Sequence, residues 1–160
     1  MAKKVKIKKT LVEQILSKAG IPHQGIQINA LEGELPQGYE RDQIFKTLAL
    51  LGDKTGPIIG IVPITQHLSE KKLAKISGNK KVSMIPQKDL EKTTGYIHGA
   101  NNPVGIRQKH NYPIFIDKIA LDLDQIIVSA GEVGHSIIIE PQDLASFVKA
   151  DFADILEDSQ

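Results

Sequence analysis

Residues Thr94–Gly105 read Thr-Gly-Tyr-Ile-His-Gly-Ala-Asn-Asn-Pro-Val-Gly, and they concentrate three glycines, a proline and two adjacent asparagines. The glycines, Gly95, Gly99 and Gly105, permit backbone angles that a side chain would forbid. Pro103 fixes its own φ and restricts the preceding residue to extended conformations. The stretch therefore predicts a shaped loop whose free N–H and C=O groups can line a pocket. Composition alone favours a simpler interpretation, an ordinary turn between two strands.

The composition is that of a single soluble domain. A chain of 160 residues is long enough to bury a core, and 41% hydrophobic with 24% charged residues is ordinary for a globular protein. The absence of cysteine excludes disulfides, thiolate metal sites and a cysteine nucleophile, and it fits a cytoplasmic location. No apolar run suits a membrane span or a signal peptide. We expect a basic arm over residues 1–9 and one domain over residues 10–160.

The charges are unevenly placed although the net charge is only +1. Residues 1–9 carry five lysines and no acidic residue, and residues 61–92 carry seven lysines against three acidic residues. Clustered lysines can attract phosphate backbones, although a solvated protein face gives the same pattern. Aromatic residues make up only 4% of the chain, which argues against a platform for base stacking.

Hydrophobic periodicity and turn residues predict short helices and strands in no strict alternation. The predicted helices cover residues 10–20, 69–76, 86–92 and 141–148, and the predicted strands cover residues 56–65, 81–85, 113–120, 125–128 and 136–139. Residues 29–40 are typical of a loop, and residues 42–51 are predicted to be helical or turn-like. This order predicts an α+β fold with a mixed, largely antiparallel sheet.

No motif for metal, cofactor or triad chemistry is present. No two of the five histidines stand three or four residues apart, so a zinc site has little support. The glycine patterns of nucleotide-binding loops and of the hydrolase nucleophile elbow are absent as well. We therefore expect no metal and no cofactor.

Two further segments could line a pocket. Lys46 is a charge within the apolar stretch Ile44–Leu48, and its ammonium group could bind a carbonyl, phosphate or hydroxyl in a cleft. The alternative is a lysine on the wet face of a helix. Ser129-Ala130-Gly131 follows a predicted strand, where small residues permit a close approach of a ligand. The alternative there is an ordinary tight turn.

Taken together, these segments resemble the YbaK/EbsC family in order and spacing. The resemblance rests on Lys46-Thr47-Leu48, Gly95-Tyr96, the loop from Gly99 to Pro103, Ser129-Ala130-Gly131 and Pro141-Gln142-Asp143-Leu144. It spans nearly the whole chain and is strongest for EbsC-like members of Gram-positive bacteria. The family is the free-standing relative of the editing domain inserted in bacterial prolyl-tRNA synthetases.

The resemblance implies a compact fold around a barrel-like sheet surrounded by short helices. It also implies a trans-acting deacylase that releases a wrong amino acid from charged tRNA, foremost cysteine from Cys-tRNA(Pro). In such members the thiol of the substrate attacks its own ester and leaves as a cyclic thiolactone, whereas members that favour alanine or serine use an ordered water. Aminoacyl-tRNA is the implied partner, prolyl-tRNA synthetase is a candidate partner, and the oligomeric state stays open.

The resemblance also implies roles for particular residues. Lys46 would hold the terminal adenosine or the aminoacyl group, and backbone amides around Gly99 would stabilise the developing charge on the ester carbonyl. The other residues implied to contact substrate are Thr47, Gly95, Tyr96, Ala100, Asn101, Pro103, Ser129, Ala130, Gly131 and Ser136. For contact with tRNA we predict Lys71, Lys72, Lys75, Lys80 and Lys81.

Two residues depart from the family pattern. Ser136 stands where the deacylases commonly carry an aspartate, and Ile28 stands near the place of a frequent tyrosine. A serine exchanges hydrogen bonds but carries no charge. A second hypothesis therefore stays open, in which the protein is a non-catalytic module that binds a tRNA 3′ end or a nucleotide-like ligand. A third is a protein-interaction factor recruited to prolyl-tRNA synthetase.

Overall fold

The computed structural model describes residues 9–158. The predicted basic arm over residues 1–9 lies outside this part, apart from Lys9. Within the described residues, no helix has both the length and the apolar character that crossing a membrane requires. The same residues hold no group of three or more histidine, aspartate or glutamate side chains that could bind a metal ion.

Short helices and strands alternate irregularly along the described chain. The helices are α1 (Leu11–Lys18), α2 (Glu70–Ser77), α3 (Gln87–Thr94), α4 (Pro103–Lys109) and α5 (Pro141–Val148). The strands are β1 (His23–Ile26), β2 (Phe45–Gly52), β3 (Gly56–Pro63), β4 (Val82–Met84), β5 (Ile114–Asp117), β6 (Ile126–Ser129), β7 (Ser136–Ile139) and β8 (Asp151–Ala153).

The strands form two sheets. The larger one has the order β4-β2-β3-β5-β8, with antiparallel pairing around β2 and parallel pairing of β5 with β3 and β8. The smaller one is antiparallel in the order β1-β7-β6, and a single bridge between Ile44 and Ile127 joins the two. The predicted α+β class with a mixed sheet is confirmed. The sheet is curved, but the described strands do not close into a barrel.

Strand β3 lies at the centre of the core because both of its faces are covered. Ile59 and Ile61 belong to the main core, which also holds residues of α1, α4 and α5, whereas Ile58 and Val62 face a second cluster that includes Leu73 of α2. All four β3 side chains are fully buried. A strand that is buried on both faces has a continuous apolar sequence rather than an alternation of apolar and polar residues.

The capping signals in the sequence placed most helices correctly. At the start of α1 the Thr10 hydroxyl accepts the Glu13 N–H at 3.3 Å, and the Glu13 carboxylate accepts the Thr10 N–H at 2.7 Å, which is the predicted capping box. Ser69 caps α2, and Gly78 ends it in the left-handed conformation. The predicted helix over residues 141–148 matches α5.

The prediction of a helical or turn-like segment over residues 42–51 is wrong, since β2 occupies most of it. Its eight residues pair with β3 in an unbroken antiparallel register. A short apolar run does not by itself distinguish helix from strand, and the pairing with β3 decides the outcome. Lys46 is therefore a strand residue, and the alternative of a lysine on a wet helix face is excluded.

Three short elements were not predicted. Helix α4 follows the glycine-rich stretch, and β1 and β8 are strands of four and three residues that add to the edges of the two sheets. Strands this short carry little periodicity of their own. Their stability comes from the neighbouring strand, because an isolated pair of strands is marginal in water.

Asp117 anchors the C-terminal segment to the core, and we expect its removal to be costly. Its side chain is buried, and its two oxygens accept the N–H groups of Ile119 and Ile155, each at 2.9 Å. Asp117→Ala leaves both donors unpaired and should lower the free energy of unfolding by about 2–3 kcal/mol, as measured by urea denaturation. Asp124→Ala, at an exposed position, is the control, and equal effects of the two variants would contradict this anchoring role.

Candidate functional site

The glycine-rich stretch forms the connection between α3 and α4. Gly95 ends α3 at φ +87°, and Gly99 lies in the same left-handed region at φ +89°. Asn102 is extended, as the following proline predicts, with φ −154° and ψ 149°. Pro103 occupies the first turn of α4. The simpler interpretation, a turn between two strands, is wrong because the connected elements are helices.

Buried amides hold this connection in shape. Asn102, which is fully buried, accepts the Gly105 N–H at 2.6 Å and donates to the Ala100 carbonyl at 3.1 Å. The Thr94 hydroxyl donates to the side-chain oxygen of Asn101 at 2.8 Å. We call these three residues, Thr94, Asn101 and Asn102, the amide network. Sequence reasoning gave it no weight, although an Asn-Asn-Pro sequence at a helix start is a capping signal.

Gly105 has a different role from the predicted one. It lies within α4 without a positive φ, so conformational freedom does not explain it. A side chain at this position would collide with the hydroxyl group of Tyr96. The ammonium group of Lys109, four residues further along α4, lies 4.5 Å from the centre of the same Tyr96 ring. Gly105 is thus required for the close packing of the loop against α4.

A cavity of about 400 Å³ lies between β2 and the loop. Its polar wall consists of Lys46 and Thr47 from β2 and His98, Gly99 and Asn101 from the loop. The remaining lining is mainly aliphatic and consists of Leu48, Ala49, Ile64, Met84, Ile85, Gln87 and Leu90. We call this space the Lys46 cavity. A largely apolar volume of this size with a few convergent polar groups is typical of a small-molecule site.

A much smaller space, the Ser136 crevice, adjoins the other side of the loop. It has a volume of about 10 Å³, and its lining includes Ile28, Phe45, Gly99, Ser129, His135 and Ser136. This is room for roughly one water molecule. Gly99 lines both spaces, so it stands where the cavity and the crevice meet.

The hydroxyl groups of the crevice are already engaged. Ser129 donates to the Gly99 carbonyl at 3.4 Å and accepts the Gly131 N–H at 3.2 Å. Ser136 donates to the carbonyl of Ile28 at 3.0 Å, so the two residues that depart from the family pattern contact each other. Within residues 9–158, neither hydroxyl is hydrogen-bonded to a histidine. The site thus holds no activated serine nucleophile of the triad type.

The backbone donors around Gly99 are not all available. The Ala100 N–H donates to the Ile97 carbonyl at 3.0 Å and closes a turn. In the described part of the chain, the N–H groups of Gly99 and Asn101 have no hydrogen-bond acceptor. These two amides are therefore the candidates for stabilising a carbonyl oxygen that gains negative charge.

Thr47 carries an unpaired polar group. Its side chain is 8% exposed, and its hydroxyl has no hydrogen-bond partner among the described residues. Leaving a buried hydroxyl unpaired costs about 1–3 kcal/mol. Thr47 also lines the Lys46 cavity.

Lys46 supplies the positive charge of the cavity. It is half-buried and makes no ion pair within residues 9–158. Burial lowers the pKa of its ammonium group below the ordinary 10.5. A partly desolvated cation without a partner is suited to binding a polar or anionic ligand group.

The other residues predicted to contact substrate support the loop instead of lining either space. Ala100, Pro103 and Ala130 are buried, and Gly131, at φ +93°, lies close to Asn102 and Tyr96. Gly95 and Tyr96 shape its start. Sequence reasoning missed His98 and the aliphatic wall from β4 and α3. His98 lies in the singled-out stretch, but its position beside Lys46 depends on the tertiary fold.

The five predicted tRNA-contacting lysines differ in their surroundings. Lys72 of α2 pairs with Asp158 at 2.8 Å and with Asp154 at 3.2 Å, and the hydrogen bond that Lys72 donates to Asp158 is the main cause that raises the pKa of Lys72. The Asp53 carboxylate accepts the backbone N–H groups of Lys80 and Lys81 at 2.9 and 3.0 Å. The side chains of Lys71, Lys75, Lys80 and Lys81 are exposed.

Comparison with known proteins identifies the family. Residues 33–147 match the family model described as an aminoacyl-tRNA editing domain. The chain belongs to this family. A protein of Enterococcus faecalis named "Putative Cys-tRNA(Pro)/Cys-tRNA(Cys) deacylase EbsC" is 39% identical over 97% of this chain and 98% of its own length. The predicted resemblance to the YbaK/EbsC family is thereby confirmed.

Solved structures share the fold. One described as a "putative trans-editing enzyme for prolyl tRNA synthetase" aligns with a TM-score of 0.80 at 22% identity, covering 92% of this chain and 95% of its own. A scaffold from a study of computational epitope grafting aligns with a TM-score of 0.79 at 24% identity, covering 92% and 96%. At these identities the likeness concerns the fold alone.

The unpaired hydroxyl of Thr47 leads to a prediction about stability. Thr47→Val keeps the shape of the side chain and removes the unpaired group, so we expect the free energy of unfolding to stay unchanged or to rise by up to about 1 kcal/mol. Thr94→Val is the matched control, because the Thr94 hydroxyl donates to Asn101 at 2.8 Å, and it should lose about 1–3 kcal/mol. Urea denaturation of both variants measures this difference. A loss in Thr47→Val equal to that in Thr94→Val would show that its hydroxyl has a protein partner.

The lowered pKa of Lys46 predicts a pH dependence with a defined sign. Burial disfavours the charged form, so the ammonium group should titrate below pH 10.5 in the folded protein. Between this lowered pKa and 10.5, folding should gain stability with rising pH. The binding of a ligand that is held by this charge should weaken over the same pH range. NMR titration of the Lys46 side chain measures the pKa, and a value at or above 10.5 would refute the prediction.

Proposed function

We propose that this protein is a trans-acting aminoacyl-tRNA deacylase whose leading substrate is Cys-tRNA(Pro). One observation carries the proposal: Lys46 and Thr47 on β2 and Gly99 and Asn101 on the loop line a single cavity, although about fifty residues separate the two pairs. The name of the Enterococcus faecalis relative supports the same substrate class.

The two spaces suggest how a charged tRNA end is held. The Lys46 cavity has the size and apolar lining that a terminal adenosine requires, with Lys46 and Thr47 available to its polar groups. The Ser136 crevice is small and would take the amino-acid side chain, which favours cysteine, alanine or serine over larger residues. The ester bond would then lie beside Gly99, which borders both spaces.

The chemistry is assigned to the substrate because the Ser136 crevice, among the described residues, holds no activated nucleophile. The chain has no cysteine, and both crevice hydroxyls donate to backbone carbonyls. For cysteine, the substrate sulfur bonds to its own ester carbon, the bond from that carbon to the ribose oxygen breaks, and the thiol proton ends on that oxygen. The products are a cyclic thiolactone and free tRNA. The N–H groups of Gly99 and Asn101 would stabilise the carbonyl oxygen in the transition state.

The proposal extends to partners and location. The tRNA would arrive as a product of prolyl-tRNA synthetase, which makes this synthetase a candidate partner, and the reaction would take place in the cytoplasm. The roles of the site residues, including the tRNA-contacting lysines, belong to the same proposal.

A second candidate function is a binding module without catalysis, and one contact favours it. Ser136, which replaces the family aspartate, is engaged with the carbonyl of Ile28. A negative charge is therefore missing from the crevice. In this case the protein would bind the tRNA 3′ end and leave the ester intact.

The deacylase proposal predicts the outcome of a substrate panel. Purified protein incubated with Cys-tRNA(Pro), Ala-tRNA(Pro) and Ser-tRNA should release cysteine fastest. The release is measured as the loss of acid-precipitable aminoacyl-tRNA, and the thiolactone product is detected by chemical trapping. Lys46→Ala should slow the release by about 10²-fold, because a charge that positions the reacting group is lost. Lys54→Ala, an exposed lysine in the turn between β2 and β3, is the matched control.

The same panel separates the two candidate functions. Tight binding of the charged tRNA without hydrolysis of any substrate would establish the binding module. Ser136→Asp is unsuitable as a restoring variant, because its carboxylate would face the carbonyl of Ile28, which accepts the Ser136 proton in the native protein.

A further inference from the structure

A second, open groove continues from the Lys46 cavity on the side of α2. It has a volume of about 570 Å³ and shares Lys46, Leu48 and Met84 with the cavity. Its far wall consists of His67, Leu68, Ser69, Glu70, Lys71 and Glu157. We call it the Lys71 groove. Because three residues line both spaces, a chain leaving the cavity past Met84 enters the groove directly.

We propose that the Lys71 groove takes the single-stranded RNA that precedes the terminal adenosine, with Lys71 as its phosphate contact. The inference rests on the proposed function, because it starts from an adenosine in the Lys46 cavity. A nucleotide joined to that adenosine needs an open path next to it. The groove supplies such a path, and its lining includes the apolar side chains of Leu48 and the half-exposed Met84 and two cationic groups, Lys46 and Lys71.

The ion pairs on α2 single out Lys71 among its lysines. Lys72 is held by Asp154 and Asp158, so binding a phosphate would require breaking two contacts. Lys75 is exposed but does not line the groove. Lys71 lines the groove and makes no ion pair within residues 9–158. Its charge is therefore available to a phosphate group.

The two carboxylates that line the groove, Glu70 and Glu157, differ in their expected effect on phosphate binding. The Glu70 carboxylate accepts the Met84 N–H at 3.1 Å and is thus directed towards the backbone of β4. Glu157 is exposed, and only its backbone is fixed, by donation of its N–H to the His67 carbonyl at 2.8 Å. A carboxylate at this place repels a phosphate. The groove therefore predicts opposite effects for the removal of Lys71 and of Glu157.

Binding of two probes tests the proposal, the RNA trinucleotide 5′-CCA-3′ and adenosine. Lys71→Ala should weaken trinucleotide binding about three- to fivefold, the range expected for one exposed charge contact, and should reduce the slope of log affinity against log salt by about 0.7. Lys75→Ala carries the same charge change on the same helix and should have little effect. Glu157→Gln should strengthen trinucleotide binding about two- to threefold. Adenosine binding should stay the same in all three variants.

The outcomes are separable from those of the deacylase proposal, because binding is measured without hydrolysis. If the protein hydrolyses no substrate but the variants change trinucleotide binding as expected, the assignment of the Lys71 groove to RNA is still supported. Equal effects of Lys71→Ala and Lys75→Ala, weaker binding in Glu157→Gln, or the same loss for adenosine and the trinucleotide would overturn the inference. A wild-type protein that binds adenosine but gains no affinity from the added nucleotides would overturn it as well.

Discussion

The site depends on one constraint, the burial of the amide network between α3 and α4. Asn102 is completely enclosed, and its side chain accepts from the first turn of α4 while it donates to the loop. Buried amides are costly unless they are paired, so the loop has few alternative conformations that satisfy them. The left-handed Gly99 is thereby held at the junction of the cavity and the crevice. A loop with this much internal bonding can position backbone N–H groups as reliably as a helix or strand.

The side of the Lys46 cavity opposite the loop is formed by β2, which is extensively paired within its sheet. Strand β2 pairs with β3 along its whole length, and β3 is buried on both faces. Lys46 and Thr47 are therefore mounted on a strand that is paired along its whole length with a strand of the buried core. A fully paired strand and an internally hydrogen-bonded loop line the same cavity. Catalysis by positioning requires such fixed groups, since a displacement of about 1 Å can cost about 10²-fold in rate.

The sequence predicted those features that carry a local signal. Capping residues placed α1 and α2, Pro141 marked the start of α5, and apolar runs with turn residues placed β3, β6 and β7. Strand β2 was predicted to be helical or turn-like because Phe45 to Leu50 includes buried residues of both faces, which hides the alternation. Helix α4 was missed because Pro103 and Gly105 are typical of a loop. The cavity residues Lys46, Thr47 and Gly99 came from the family motifs, whereas His98 and the aliphatic wall carry no motif of their own and are brought there only by tertiary packing.

The unbroken register between β2 and β3 also limits how this protein can diverge. Inserting or deleting one residue within β2 would exchange the two faces of the strand, and it would turn the ammonium group of Lys46 towards the core and the hydroxyl of Thr47 towards the groove. Length changes should therefore be excluded between residues 45 and 52 among homologues that keep the site. The segment over residues 33–40, which pairs with no strand, can vary in length without this penalty. A library for directed evolution should accordingly vary length there and only side chains in β2.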